Sequence, residues 1–324
     1  MTVRPSAGAP PLGPPGSEPV SEGTGSQETV SEDLVAPATK PLRTLLRDPL
    51  AAFGLVLVVT LSLAAVFAPF LAPHDPAAVD ATARLAGSSA DHPLGTDELG
   101  RDVVSRLLFG ARWSLGIAAL ATAVVTVVGI AIGLVAGFYG GLVDSLIMRV
   151  VDVLLAFPDL LLYLAIVGTL GPGIRNVFLA LIAISWAGYA RIVRGLVASA
   201  RQRDYVAAAV ALGATDRRVM VRHILPNVIS PVVVLASLRV GNVILALAAL
   251  GFFGLGAQPP TPEWGTMINQ SRLYLLSEPQ LMAYPGLAIT LAVLGFNLLG
   301  DGLRDALDPR TRRLLVRAAP GTAD

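Results

Sequence analysis

The stretch RDYVAAAVALGATDRRVMVRHILP, residues 203–226, decides how this chain is organised. It carries four arginines, two aspartates and a histidine, whereas long uncharged segments lie on both sides of it. Its alanine-rich first half favours a helix, Gly213 can adopt the left-handed conformation that ends one, and Thr215 can cap a second. The stretch therefore predicts two short helices joined at Gly213, with Pro226 marking the start of a further apolar segment.

This polar insert has two interpretations when the residues are considered alone. It is either an amphipathic linker lying at a membrane interface or a docking surface for a protein in the water. Arg218 and Arg222 are four residues apart and lie on one side of the second predicted helix. The alanines of the first helix leave a shallow surface that a partner could contact.

The composition of the whole chain indicates an all-α protein that crosses a membrane several times. Of 324 residues, 54% are apolar and only 15% are charged, where a soluble domain has about 25%, and the mean hydropathy is +0.67. A net charge of +1 argues against nucleic-acid binding. The absence of cysteine excludes disulfides and thiolate metal sites.

Six segments are apolar and long enough to cross roughly 30 Å of hydrocarbon. They are residues 50–72, 113–139, 146–170, 176–197, 230–255 and 283–299. Sixteen basic residues fall in the segments that this order places inside, against six in those placed outside. The asymmetry predicts that both termini are cytoplasmic.

Two features of the first external segment and the second span predict local packing. From Arg101 to Arg112 the apolar residues recur at helical spacing, which predicts an amphipathic helix lying at the interface before the chain turns inward. The arginines of this segment are expected to be compensated by the acids around them. Gly129, Gly133 and Gly137 are spaced by four and predict a smooth helix face for close packing.

Charged residues inside the spans are candidates for a transport path. Arg239 lies roughly 12 Å into the fifth span, where a charge should face a cavity or a partner acid, and Asn242 is a further candidate. Asp152 and Asp159 are seven residues apart and are predicted to share a helix face. They either anchor the third span at the interface or line a wet cavity, and Arg149 is close enough in sequence to pair with Asp152.

The chain shows no pattern for catalysis. It lacks a GxxxxGK[ST] loop for ATP, a Ser–His–Asp pattern and an HExxH pattern. His74, His92 and His223 are scattered without the spacing of metal ligands, so no metal site is predicted. An ion-coupled secondary transporter is an alternative, with Arg239, Asp152 and Asp159 as a charge relay. A membrane enzyme is a third class, for which no residue stands out.

At the stretch quoted first, the chain resembles the membrane subunits of binding-protein-dependent ABC importers. Their signature is EAA, then Gly after three residues, then Ile-x-Leu-Pro or similar further on. It corresponds here to Ala207-Ala208-Ala209, Gly213 and Ile224-Leu225-Pro226. Four more stretches resemble the second permease of the dipeptide/oligopeptide/nickel group: residues 92–112, 155–162, 254–268 and 300–310. Ala207 stands where the family has Glu, and Leu247 where it often has an acid. Asp204 offers an acid on the same helical face as Ala207.

The resemblance implies a type I importer fold with a cytoplasmic coupling-helix pair. The ATPase-coupling residues that it implies are Asp204, Tyr205, Ala207, Ala208, Ala209, Gly213, Ala214, Ile224 and Pro226. It implies a bacterial inner-membrane permease subunit for peptides or a similar small solute. Its partners would be a homologous permease, two ATP-binding subunits or one fused chain, an extracytoplasmic substrate-binding protein and membrane lipid. ATP and Mg²⁺ would bind to the partner subunits and not to this chain.

Four regions follow from these inferences. They are a disordered cytoplasmic tail (1–46), the first transmembrane helix with a periplasmic segment (47–112), the core permease domain (113–305, with the coupling loop at 203–226) and a basic cytoplasmic tail (306–324).

Overall fold

The computed structural model describes residues 45–46 and 48–307, and in that part of the chain it is helical without a β-sheet. The predicted tails therefore lie outside the described residues, apart from residues 45–46 and 306–307. The principal helices are α1 (Pro49–Val66), α2 (Val103–Tyr139), α3 (Gly141–Leu155), α4 (Asp159–Leu170), α5 (Ile174–Arg201), α6 (Asp204–Ala211), α7 (Asp216–Phe252), α8 (Trp264–Ser271) and α9 (Gln280–Leu307). Short helical turns at Ala68–Leu71, Ala81–Ala83 and Arg272–Tyr274 connect them.

Five of these helices, α1, α2, α5, α7 and α9, are long and apolar enough to cross a membrane. Helices α3 and α4 pass the same test together, which gives a sixth crossing if the pair is counted as one span. The all-α fold with up to six spans agrees with the sequence prediction.

The third predicted span, residues 146–170, is broken into α3 and α4, which meet at an angle of 87°. The break follows from Pro158, which lacks an N–H group and disfavours the helical conformation of the residue before it. Pro158 is instead the N-cap residue of α4, with φ −59° and ψ 125°. The bend separates Asp152 from Asp159, so the prediction that they share one helix face is wrong.

The predicted interfacial helix at 101–112 is not a separate element. Helix α2 runs without interruption for 37 residues from Val103 to Tyr139. Asp102 is its N-cap residue, and the Asp102 side chain accepts the Ser105 N–H at 2.7 Å. Arg101 and Arg106 do not need the interface, because the protein itself buries and pairs them, whereas Arg112 is exposed. Trp264 donates its indole N–H to the Leu107 carbonyl at 3.1 Å, which packs this first part of α2 against the start of α8.

A buried ion network confirms that acids compensate Arg101 and Arg106, both of which are 2% exposed. Asp97 accepts from Arg101 at 2.7 Å and lies 3.1 Å from the Arg106 Nε. Glu98 accepts from Arg101 at 2.9 Å, and Gln270 accepts from Arg106 at 2.9 Å. The network joins the start of α2 to α8, 164 residues apart in sequence for the Arg106–Gln270 bond.

The glycine face of α2 packs against α5 as predicted. A Cβ atom added at Gly133 would lie 2.6 Å from the Ala190 carbonyl oxygen, and one at Gly137 would lie 2.6 Å from the Arg194 carbonyl oxygen. Such distances leave no room for a side chain, so the small residues allow the two helix backbones to approach closely.

Candidate functional site

We call residues 203–226 the hinge segment. Helix α6 ends in a Schellman motif, in which the Gly213 N–H donates to Val210 O at 2.9 Å and the Ala214 N–H to Ala209 O at 3.1 Å. Gly213 has φ +79°, the left-handed conformation that favours glycine. The predicted two helices joined at Gly213 are confirmed.

Pro226 does not begin a separate helix. Residues Val219–Ile224 form a π-helical turn, and the chain continues as α-helix from Leu225. Because Pro226 has no N–H, the carbonyl four residues before it loses its usual donor. The π-turn shifts the pairing by one residue, so that the Leu225 N–H reaches Met220 O. Helix α7 therefore joins the hinge segment directly to the apolar span.

A side-chain bridge ties the two arms of the hinge segment together. Asn227 Nδ2 donates to the Tyr205 hydroxyl at 3.3 Å and to the His223 carbonyl at 2.8 Å. Val206, Val219 and Ile224 are buried beneath the hinge segment in one apolar cluster with residues of α5 and α7. The angle between α6 and α7 is thus held from the inside by packing and from the outside by the amide of Asn227.

The outer surface of the hinge segment carries exposed apolar side chains. Leu212, beside Gly213, is 89% exposed, and Val210 and Val221 are also exposed. Asp204 and Ala207 both lie on exposed positions of α6, as do Tyr205 and Ala208, whereas Ala209 and Ile224 are buried. Three exposed apolar side chains on one short polar segment make it a candidate contact surface.

Thr215 occupies the predicted cap position, with φ −68° and ψ 153°, but its side chain makes no capping hydrogen bond. That detail of the prediction is wrong. The backbone conformation alone starts the second helix, and the Val219 N–H donates to the Thr215 carbonyl at 2.9 Å.

A cavity of about 330 Å³ opens between α2, α4, α5 and α7. Three of the residues singled out by sequence line it, namely Arg239, Asn242 and Asp159. The polar residues that complete the lining are Thr122, Tyr163, Ser185 and Tyr189, with apolar side chains between them. The cavity is therefore mostly apolar, with one guanidinium, one carboxyl group, one amide and several hydroxyls.

Arg239 is held in this cavity by contacts other than an ion pair. Its guanidinium carbon lies 5.5 Å from the centre of the Tyr189 ring, a cation–π contact. A Cβ added at Gly188 would be 3.1 Å from an Arg239 nitrogen, so the missing side chain makes room for the guanidinium. Among the described residues Arg239 forms no salt bridge within 4.0 Å. Arg239 is therefore a cavity-lining residue whose charge is not neutralised by an acid among the described residues.

Asp152 lies outside the cavity. It forms a salt bridge with Arg191 of α5, not with Arg149 as predicted, and both partners are about half exposed or more. It lines a separate surface cleft, where Arg194 donates from Nε to Asp144 at 2.9 Å. A charge relay through Arg239, Asp159 and Asp152 would need all three together, and the 87° bend keeps Asp152 apart.

Sequence reasoning missed the hydroxyl side of the cavity. The Tyr163 and Ser185 oxygens lie 2.9 Å apart, and the buried hydroxyls of Thr122 and Tyr189 have no hydrogen-bond partner within the described chain. The available signal was the spacing of Ser185 and Tyr189, which are four residues apart and so face the same side of α5. Asn227 was missed as well, because its role depends on Tyr205 from another helix.

The statement that the histidines are scattered is wrong for two of the three. His74 and His92 stack with ring centres 4.6 Å apart beside Asp102. The chain brings them together from positions 18 residues apart, which spacing in the sequence does not reveal.

Comparison with known proteins extends over most of the chain. Residues 129–313 match the family model described as binding-protein-dependent transport system inner membrane component. Residues 41–87 match the model described as N-terminal TM domain of oligopeptide transport permease C. The first match contains the hinge segment and the α4, α5 and α7 walls of the cavity.

Individual relatives are similar along the same length. The dipeptide transport system permease protein DppC of Alkalihalophilus pseudofirmus is 43% identical over 278 residues, which cover 86% of this chain and 91% of that protein. The probable D,D-dipeptide transport system permease protein DdpC of Escherichia coli K12 is 44% identical, covering 81% and 88%. The glutathione transport system permease protein GsiD of Escherichia coli O6:K15:H31 is 45% identical, covering 82% and 88%.

Proposed function

The chain belongs to the family of binding-protein-dependent transport system inner membrane components, and from that premise we propose that it forms half of the translocation path of an ABC importer for peptides or a similar small solute. As a permease it is a multi-pass protein of the inner membrane. We further propose that both termini lie in the cytoplasm, which places the hinge segment in the cytoplasm as well.

One observation carries the proposal. Helix α7 runs from Asp216 in the hinge segment to Phe252, and Arg239 and Asn242 of the cavity lie on it. From Asp216 to Arg239 the helix rises about 35 Å at 1.5 Å per residue. A force applied at the hinge segment would thus reach the cavity along one continuous helix, which contains the π-turn at Val219–Ile224 and Pro231 on the way.

The hinge segment is the proposed docking site for an ATP-binding subunit. Leu212 is 89% exposed at its tip, and burying an exposed leucine contributes about 1.5–3 kcal/mol. Two ATP-binding subunits, or one fused chain, would each engage such a segment on this protein and on a homologous permease. ATP and Mg²⁺ belong to those subunits in the proposal, so the catalytic step occurs outside this chain.

The chemistry of the cavity supports a small solute that carries a carboxylate or peptide carbonyls. Arg239 offers guanidinium donors, and the Asn242 amide and the Tyr163 and Ser185 hydroxyls line the same cavity. The relatives named for dipeptides, D,D-dipeptides and glutathione act on solutes of this kind by name. An extracytoplasmic binding protein would deliver the solute and set most of the selectivity.

Purification of the tagged chain from its own membranes without crosslinking tests this function. We expect a second permease and an ATP-binding subunit to copurify, and ATP-driven uptake in proteoliposomes supplied with the binding protein. Leu212→Asp should remove the ATP-binding subunit from the preparation, because it places a charge in the apolar contact.

Leu276→Asp is the matched control, since Leu276 is 100% exposed in the loop between α8 and α9. It should leave copurification unchanged. A chain that purifies alone and takes up solute with an ion gradient, without ATP, would contradict the proposal and favour a secondary transporter.

A further inference from the structure

Three side chains in the segment between α1 and α2 place ligand atoms around one point. His74 follows the short helix Ala68–Leu71, His92 lies further along the segment, and Asp102 is the N-cap residue of α2. Their ligand atoms all lie within 4.8 Å of one another. The His92 Nδ1 is 3.0 Å and the His74 Nδ1 is 4.0 Å from the same oxygen, Oδ1 of Asp102.

The two oxygens of Asp102 have separate tasks. Oδ2 accepts the Ser105 N–H at 2.7 Å and caps α2. Oδ1 is directed towards both imidazoles, yet only His92 is near enough for a hydrogen bond. The Nδ1 of His74 lies 4.0 Å from the same oxygen, too far for a hydrogen bond. The hydrogen bond between His92 and Asp102 does not explain why His74 is placed there.

The spacing of the ligand atoms suits a transition-metal ion. With bonds of about 2.1 Å, a tetrahedral ion separates its ligand atoms by about 3.4 Å. The separations of 3.0 Å and 4.0 Å to Asp102 lie on either side of that value, and the imidazole ligand atoms lie within 4.8 Å of each other, so side-chain rotations would complete the site. Two imidazoles and one carboxylate favour Zn²⁺ and its neighbours over Ca²⁺ and Mg²⁺, which prefer oxygen ligands.

We propose that His74, His92 and Asp102 form a Zn²⁺ site with three protein ligands and one position open to water. Burial is graded across the site: Asp102 is buried, His92 is partly buried and His74 is exposed, which provides an entry route. A bound ion links the residues that follow α1 to the first turn of α2. It therefore stabilises the segment between the first two spans, independently of the transport function.

The composition of the chain makes the test specific. It has three histidines and no cysteine, so the full-length chain is purified with a tag that contains neither and is titrated with Zn²⁺ by calorimetry. We expect one Zn²⁺ per chain and a higher Tm in its presence. His74→Gln should weaken binding by at least about tenfold, and it should fold normally because only the main-chain N–H of His74 bonds to Ser105.

Two further variants distinguish Zn²⁺ binding at this site from binding to another histidine and from loss of folding. His223→Gln changes the histidine of the hinge segment and should bind Zn²⁺ as the wild type does. Asp102→Ser keeps a side chain that caps a helix but removes the ligand, so it should lose binding and keep its fold. The proposal is overturned if the wild type binds no Zn²⁺, or if His74→Gln and Asp102→Ser retain wild-type affinity.

Discussion

Glu263 shows how strongly a single residue is shaped by its surroundings. It is fully buried outside the membrane-spanning helices, and its carboxylate accepts the N–H groups of Gly265 at 2.8 Å and Thr266 at 2.9 Å. The hydroxyl of Ser114 donates to it from α2 at 3.2 Å. Burial raises the pKa of Glu263 above its ordinary value of 4.5, while these hydrogen bonds act in the opposite direction.

The raised pKa of Glu263 predicts a pH dependence of stability with a defined sign. Above pH 4.5 and up to the raised pKa, the folded chain binds more protons at this group than the unfolded chain does. The contribution of Glu263 to stability should therefore fall as pH rises through that window. Thermal unfolding of the purified chain across that window, with Glu263→Gln for comparison, measures the contribution, and the variant should lack it.

Glu263→Gln should also lower stability at every pH, by about 1–3 kcal/mol. Its NH₂ group cannot accept a hydrogen bond, so the N–H of Gly265 or Thr266 would be left unpaired. Asp91→Asn makes the same kind of change at an exposed position and should stay within about 0.5 kcal/mol of the wild type. Equal melting curves for Glu263→Gln and the wild type would contradict the structural role.

For single residues, the sequence predicted the position of a charge within a span better than it predicted the residues that contact the charge. The position of Arg239 within an apolar span indicated a cavity, because a charge there needs one. The partners of Asp152 and Asp102 could not be predicted, since they come from other helices and loops. Tyr189 and Thr122 were missed because hydroxyls in apolar helices are common and commonly serve packing alone.

Among the elements, the contact between α2 and α5 depends on the absence of side chains. Gly133→Val should overpack it, because its Cβ would lie 2.6 Å from Ala190 O and 2.7 Å from the Cβ of Val193. We expect a loss of about 1–3 kcal/mol, measured as a lower Tm in detergent. Gly116→Val in the same helix is the control, since nothing lies within 4 Å of that position. If both variants melt alike, close packing at the glycine face is not what stabilises the pair.

The turn between α6 and α7 depends on backbone conformation at one position. Gly213 has φ +79°, which a β-branched residue adopts only at a cost of about 1–3 kcal/mol. Gly213→Val should leave the spans folded but reduce ATP-driven uptake more than ATP hydrolysis. Gly213→Asn should restore most uptake, because asparagine tolerates this conformation. Normal uptake by Gly213→Val would show that the hinge geometry is not needed for coupling.

Sequence predicted the elements where the local signal was complete and failed where a distant contact decides. Gly213 and the spacing of Gly129, Gly133 and Gly137 were sufficient to predict a turn and a packing face. The bend at Pro158 and the continuous helix through Arg112 were not predicted. The bend was missed because residues 146–170 are apolar enough for one span although Pro158 interrupts them. The helix through Arg112 was missed because the partners that bury Arg101 and Arg106 lie partly in α8.

For the whole molecule, the bent pair α3–α4 determines the topology. Between Val79, in the segment after α1, and Leu212, in the hinge segment, the chain passes through α2, the bent pair and α5. Three crossings place these residues on opposite sides of the membrane. If α3–α4 instead enters and leaves on one side, only two crossings remain and the residues share a side. The excess of basic residues in the predicted inside segments favours three crossings.

Single cysteines distinguish the two topologies without background, because the chain has none of its own. Val79 is 63% and Leu212 is 89% exposed, so Val79→Cys and Leu212→Cys should both react with a membrane-impermeant maleimide from the correct side. We expect Val79→Cys to be labelled in spheroplasts and Leu212→Cys only in inside-out vesicles. Labelling of both from one side would make α3–α4 a re-entrant pair. In inside-out vesicles, added ATP-binding subunit should protect Leu212→Cys from labelling, because it covers the hinge segment. Val79→Cys should stay reactive in spheroplasts, because it lies outside the hinge segment.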